Sequence, residues 1–355
     1  MMRRVYLDNL RGATVLLVMV YHAMYLWNGV GVPGGIPGAK SIAACDVVLS
    51  VVYPWFMVLL FVIAGMCARY ALEKRTIGAF LRERTRKLLI PSTLGLFVFQ
   101  WITGYFNLKI AGTAELIPAA LRYPICVLSG VGPLWFIQML FVFSAVIALI
   151  RRLDRGDRLW RAGGRVPAWG LLALGLLIWG GAQVGNVPVV TVYRFGIYFA
   201  AFLIGYAVLS HEEAQDAAAR MRIPLGILAL FGAIACAWGM YGKNYADAQV
   251  LQSALVNAYL WVTVLAILGW GRACWNTSGR VMRRVNAMSF GLYVLHYPVL
   301  LGACYALWRF AALPPAANYA IGLLAECAIT PILWAVLSRT PVASWLVLGR
   351  KKERL

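Results

Sequence analysis

The chain has 355 residues, 62% of them hydrophobic and 13% charged, against the roughly 25% charged residues of a soluble domain, so an ordinary water-soluble globule is excluded. Apolar runs of about 20 residues, the length that crosses a bilayer, recur along the whole chain. One integral-membrane domain is therefore expected over 1–355, with no appended soluble domain.

The first expected span, 5–27, follows Met1-Met2-Arg3-Arg4, which has the charge of a secretory leader. Asp8 and Arg11 break the apolar run and no small-residue cleavage site follows, so this span is expected to be retained. Residues 28–45 (NGVGVPGGIPGAKSIAAC) are rich in Gly and Pro and predict an irregular outer loop. Spans are expected at 46–72 and 88–106. Between them, residues 73–91 read either as a cationic amphipathic helix on the membrane surface or as plain topogenic charge. A second outer segment, 107–130, leads to spans at 131–150, 168–184, 191–209, 223–241, 250–271, 286–309 and 317–338. The expected fold is all-α, a polytopic transmembrane bundle of about ten spans.

The net charge of +20 raises the question of nucleic acid, and the position of the cations decides against it. With the N-terminus inside, the cytoplasmic segments hold 25 of the Lys and Arg residues, while the outer loops hold four: Lys40, Lys109, Arg122 and Lys243. So large an asymmetry over short loops is a positive-inside signal, and it puts both termini in the cytoplasm. The seven cysteines have no metal-ligand spacing and read as small apolar fillers. Cys45 and Cys126 both fall in outer loops, but a disulfide between them is not expected. Three histidines and no clustered acids argue against a metal site.

Ionisable side chains inside spans cost several kcal/mol or more and usually face a bundle interior or aqueous cavity. The first span carries Asp8, Arg11 and His22. Arg11 and His22 share a helix face about 16 Å apart along the axis, with Asp8 one turn below Arg11. In one reading Arg11 meets an anion from the cytoplasm and His22 transfers protons deeper in. In the other, Arg11 snorkels beside Asp8 and His22 bonds a neighbouring helix. In the ninth span Ser289, Tyr293 and His296 lie on one face, as interhelical glue or as a site. Glu326, mid-span in the last helix, needs a partner or a proton. Trp135 suits either a site or an interfacial belt.

Five motifs then occur in order. They are Tyr6-Leu7-Asp8-Asn9-Leu10-Arg11-Gly12 with Val20-Tyr21-His22; Leu60-Phe61-Val62-Ile63-Ala64-Gly65 with Arg69; Phe80-Leu81 with Arg84 and Lys87-Leu88-Leu89-Ile90-Pro91; Gly132-Pro133-Leu134-Trp135-Phe136; and Leu292-Tyr293-Val294-Leu295-His296-Tyr297-Pro298. Together they resemble the membrane-bound acyltransferase family 3 proteins, whose hallmark is Arg-x10-His on the first helix. Lys87 stands where members often have arginine, which weakens bidentate phosphate binding, and Ala64 replaces a frequent serine.

The resemblance implies an O-acyltransferase of a bacterial cytoplasmic membrane. It would move an acyl group, commonly acetyl, from cytoplasmic acyl-CoA to a hydroxyl of an extracytoplasmic glycan or glycolipid, with no bound cofactor. His22 and Arg11 then become the catalytic pair, and Arg11, Arg69, Arg84 and Lys87 the candidates for the CoA phosphates. Trp135, Tyr293, His296, Glu326 and Asp8 are candidates for substrate or oxyanion contacts. The competing class is a proton-coupled transporter or flippase, against which stands the lack of a visible inverted repeat.

Overall fold

A computed structural model of the chain describes residues 4–188 and 192–350. Arg3 and the cations of 351–355, counted above for topology, lie outside them. In chain order the helices are α1 (Val5–Tyr25), α2 (Ala43–Val52), α3 (Phe56–Lys74), α4 (Ile77–Arg84), α5 (Ile90–Gly95), α6 (Trp101–Ile110), α7 (Ala119–Ser129), α8 (Leu134–Leu153), α9 (Arg158–Gly163), α10 (Ala168–Ala173) and α11 (Gly175–Gln183). They continue with α12 (Phe195–Ala207), α13 (Glu212–Arg220), α14 (Arg222–Gly239), α15 (Ala248–Gln252), α16 (Ala254–Cys274), α17 (Arg280–Phe310), α18 (Pro315–Arg339) and α19 (Pro341–Leu348). The fold is an all-α polytopic bundle. Among the described residues its one departure is a small antiparallel pair, β1 (Asn186–Pro188) with β2 (Val192–Arg194), in a stretch rich in β-branched residues.

Among the described residues, seven helical stretches are long and apolar enough to cross a membrane: Ala43–Lys74, Ile77–Ile110, Leu134–Leu153, Arg222–Gly239, Ala254–Cys274, Arg280–Phe310 and Pro315–Arg339. An eighth results if α12 and α13, bent by 107°, form one span. The other two expected spans are also helical. The apolar helix Ala168–Gln183 is short, and α1, 21 residues long, has its apolar character diluted by Asp8, Asn9, Arg11 and His22. The stretch 73–91 does not form a separate surface helix. It joins the following span in one 34-residue helix, Ile77–Ile110, which passes through π-helical turns at Thr85–Leu89 and Leu96–Gln100. Such turns are rare and frequent at functional sites.

The contacts define two compact units that interleave along the chain. The first takes the described part of 1–14 with Asp46–Leu81 and Phe143–Asn286. Here α3 and α12 cross at very short range. A Cβ on Gly65 would stand 2.0 Å from the Phe202 carbonyl oxygen, and one on Gly205 would stand 2.2 Å from that of Val62. Two glycines thus let two backbones touch, the packing mode of membrane helices that gain nothing from apolar burial alone. In this unit α16 is the inner helix, 67% buried over its apolar window, and α14 the outer one at 11%.

The second unit takes Val15–Cys45, Arg82–Val142 and the described part of 287–355. The Gly-rich loop after α1 folds back onto it. Ile36 N–H donates to the Leu26 carbonyl at 2.7 Å, and Asn28 bridges to Tyr25 and Val32. Gly34 (φ +93°) could not be replaced freely, because a Cβ there would meet the Tyr25 hydroxyl. This closure buries Trp27. Cys126 is a buried free thiol, so the two outer-loop cysteines do not pair with each other.

Candidate active site

Within the second unit, α1 brings His22 against α17. The His22 Nδ1 lies 2.9 Å from the carbonyl oxygen of Val18, one turn back on its own helix. A carbonyl only accepts, so Nδ1 carries the proton of the neutral ring and Nε2 carries the lone pair. Among the described residues, no hydrogen-bond partner meets that Nε2. The ring is half-buried within an aromatic surround, with Tyr297, Tyr21 and Tyr25 centred 5.0, 5.5 and 6.1 Å away. Chemically this is a base whose reactive nitrogen is uncommitted and whose other nitrogen is held.

His296 is fully buried beside it, its Nε2 3.2 Å from the His22 Nδ1. Its own Nδ1 faces the carbonyl oxygens of Tyr293 at 2.8 Å and Leu292 at 3.1 Å. Tyr293, one turn before, donates its hydroxyl proton to the Pro133 carbonyl at 2.7 Å. That bond ties the Gly132-Pro133 turn ahead of α8 to α17. At Gly132 (φ +42°) a Cβ would stand 3.1 Å from Tyr297, so a side chain here would press on the ring that flanks His22. Trp135 follows in the first turn of α8, half-buried and edge-on to Phe136, whose ring packs on Tyr293. The two motifs around Trp135 and His296 thus act together: one shapes the turn, the other presents the histidine.

Glu326 lies on α18 of the same unit. The buried residues of α18 include Asn318, Gly322, Glu326 and Thr330, one stripe at four-residue spacing on a helix that is otherwise largely exposed. Gly322 packs against Cys304 of α17. Both Glu326 oxygens and the Thr330 hydroxyl lack a hydrogen-bond partner among the described residues. Arg84 and Lys87 lie where α4 passes into the first π turn, and Lys87 is paired with Glu83 at 2.7 Å.

In the first unit, Arg11 is paired with Asp8 at 2.9 Å yet remains 41% exposed, so its guanidinium keeps access beyond the helix. Asn9 next to it is fully buried and does work that residue type alone did not reveal. Its amide donates to the Trp275 and Thr277 carbonyls at 3.0 Å each, while its oxygen accepts from Ser278 and Asn286. One asparagine therefore anchors the whole turn between α16 and α17, and a polar residue inside an apolar run was the available signal.

Arg69 is enclosed by partners from its own unit. It is 5% exposed, its Nε bonded to Glu73 at 2.9 Å and its Nη1 to Asp157 at 2.7 Å, with its guanidinium 4.1 Å from the Trp160 ring centre. Two of its three guanidinium nitrogens are thus engaged by carboxylates of the chain. Asp157 also pairs with Arg151 at 2.6 Å, and these two cations hold it at φ +54°, a left-handed conformation uncommon for a non-glycine residue. Just before it, Asp154 accepts from the backbone N–H groups of Arg158 and Leu159, at 2.9 Å each. These bonds hold the Asp154 carboxyl below the usual carboxylate range, Leu159 contributing most and Arg158 next.

Neither a curated protein nor a solved structure matches the chain. A family model described as an acyltransferase domain matches residues 4–337, taking in α1 with its Arg11 and His22 and all five motifs. The chain therefore belongs to acyltransferase family 3, a family of membrane acyltransferases.

Proposed function

We propose that the chain transfers an acyl group, acetyl in the simplest case, from cytoplasmic acyl-CoA to a hydroxyl of an extracytoplasmic carbohydrate or glycolipid, with His22 as general base. The observation that carries this reading is the state of His22, whose Nδ1–H is held by Val18 while Nε2 is uncommitted. Nε2 takes the proton from the acceptor hydroxyl as its oxygen attacks the thioester carbonyl carbon. The tetrahedral intermediate then expels the CoA thiolate, which recovers that proton from Nε2. One C–O bond forms, one C–S bond breaks, and the histidine ends as it began.

Arg11, half-exposed toward the other end of the same unbroken helix, suits the anionic end of the donor. Its fork geometry favours phosphate contacts. Arg84 and Lys87 remain candidates for that role, whereas Arg69 is better read as structural. The positive-inside distribution supports cytoplasmic termini, and the family resemblance supports a bacterial cytoplasmic-membrane setting. Incubating protein-containing inverted membrane vesicles with [14C]acetyl-CoA tests the reading. Label covalently attached to an acceptor is the expected result. Movement of intact labelled compound across the membrane without attachment marks a transporter instead and overturns it.

A further inference from the structure

We propose that His296 is a positioning residue that fixes both the tautomer and the ring orientation of His22; this rests on the reading of His22 as the base. The argument begins on α17. Residues Tyr293 and Leu292 offer carbonyl oxygens to the His296 Nδ1 at 2.8 and 3.1 Å. Those oxygens only accept, so the single proton of the neutral His296 ring sits on Nδ1 and its Nε2 is an acceptor. That acceptor faces the His22 Nδ1 at 3.2 Å. The His22 Nδ1–H is therefore shared between two acceptors, the Val18 carbonyl and the His296 Nε2.

Two consequences follow. Moving the proton to the other nitrogen of His22 would leave three lone pairs, on Nδ1, Val18 O and His296 Nε2, facing one another without a proton between them, so the tautomer with a free Nε2 is selected. Once Nε2 has taken the acceptor's proton, the Nδ1–H belongs to an imidazolium and both of its bonds become charge-assisted, which strengthens them at the moment of reaction. A nucleophile–base–orienter arrangement normally places a carboxylate third. Here a neutral imidazole fills the place, which avoids a fixed negative charge in a span. The same geometry removes His296 from the oxyanion role expected from the sequence: its one N–H is committed to backbone carbonyls and it has no proton to offer.

The test measures steady-state [14C]acetyl transfer from acetyl-CoA to the native envelope fraction. Protein in detergent micelles is normalised to the monodisperse fraction on gel filtration. The variants are His22→Ala, His296→Leu, His296→Gln and the double variant His22→Ala with His296→Leu. His296→Leu, which removes the acceptor, is expected to lower kcat about 10- to 100-fold with KM for acetyl-CoA unchanged. His296→Gln, whose amide oxygen can accept, is expected to retain much of the rate. The double variant should be no slower than His22→Ala alone, because a positioning residue acts only through the group it positions.

A wild-type kcat in His296→Leu beside a slow His22→Ala overturns the role of His296 and leaves His22 as the base. Multiplicative losses in the double variant do the same. A wild-type rate in His22→Ala removes the base itself and the present proposal with it. Should His296→Leu fail to accumulate, His296→Phe keeps a ring without an acceptor and carries the same expectation.

Discussion

The surroundings of Arg69 and of His22 make an instructive pair. Both residues are polar side chains in apolar helices, and both were legible in the sequence as expensive placements. In the first unit Arg69 is met by Glu73, Asp157 and the face of Trp160, which leaves it enclosed. In the second unit His22 is met on one nitrogen only, by Val18 and His296, and its other nitrogen is open. A cation clamped by two carboxylates and a ring face is suited to holding a fold together, whereas a base with one uncommitted nitrogen can do chemistry. Cost of burial alone does not separate the two; the partners around each group do.

This contrast can be broken or sharpened by substitution. The largest effect on stability is expected at the enclosed site. Asp157→Ala removes a carboxylate shared by Arg69 and Arg151 and leaves the buried Arg69 short of a partner. Breaking a buried pair in this way costs about 3–5 kcal/mol. A marked drop in melting temperature in detergent should accompany near-normal acyl transfer per folded molecule. A raised KM for acetyl-CoA with unchanged melting temperature would instead return Arg69 to the donor site. Gly132→Ala comes next, forcing φ +42° on an L-residue 3.1 Å from Tyr297. About 1–2 kcal/mol of stability is expected to be lost, together with a reduced kcat as the ring flanking His22 shifts.

Smaller effects extend the comparison to groups outside both centres. Glu326→Gln keeps the size of a side chain that is fully buried, so transfer within about twofold of wild type is expected. Abolished transfer with normal protein yield would move Glu326 from packing to substrate contact. Asp154→Ala should show the least. Because the folded state depresses this carboxyl, its contribution to stability is present above the unfolded carboxylate value and is lost as pH falls through the lower folded value. The melting temperatures of wild type and variant should therefore differ slightly at neutral pH and converge in acid.

The all-α bundle was readable because apolar runs long enough to span a bilayer are a strong signal, and each segment so read contains a helix among the described residues, although 191–209 opens on β2. Individual roles were harder to read. Arg69 could not be told from a phosphate ligand because its partner Asp157 lies 88 residues away. His296 could not be ranked against Trp135 and Tyr293 as a substrate or oxyanion contact because the two carbonyls that face its Nδ1 are contributed by helix backbone, which residue type does not report. The π turns in Ile77–Ile110 left no pattern that distinguishes them from ordinary helix. Glycine was visible at Gly65 as part of a motif, but its reason, the Phe202 backbone against it, is tertiary.

The central claim is that His22 Nε2 is the base for acyl transfer. The most direct measurement is kcat for [14C]acetyl transfer by His22→Ala protein that inserts and elutes like wild type. A fall of about 10²- to 10⁴-fold with KM for acetyl-CoA little changed is predicted, and a wild-type kcat would contradict the account.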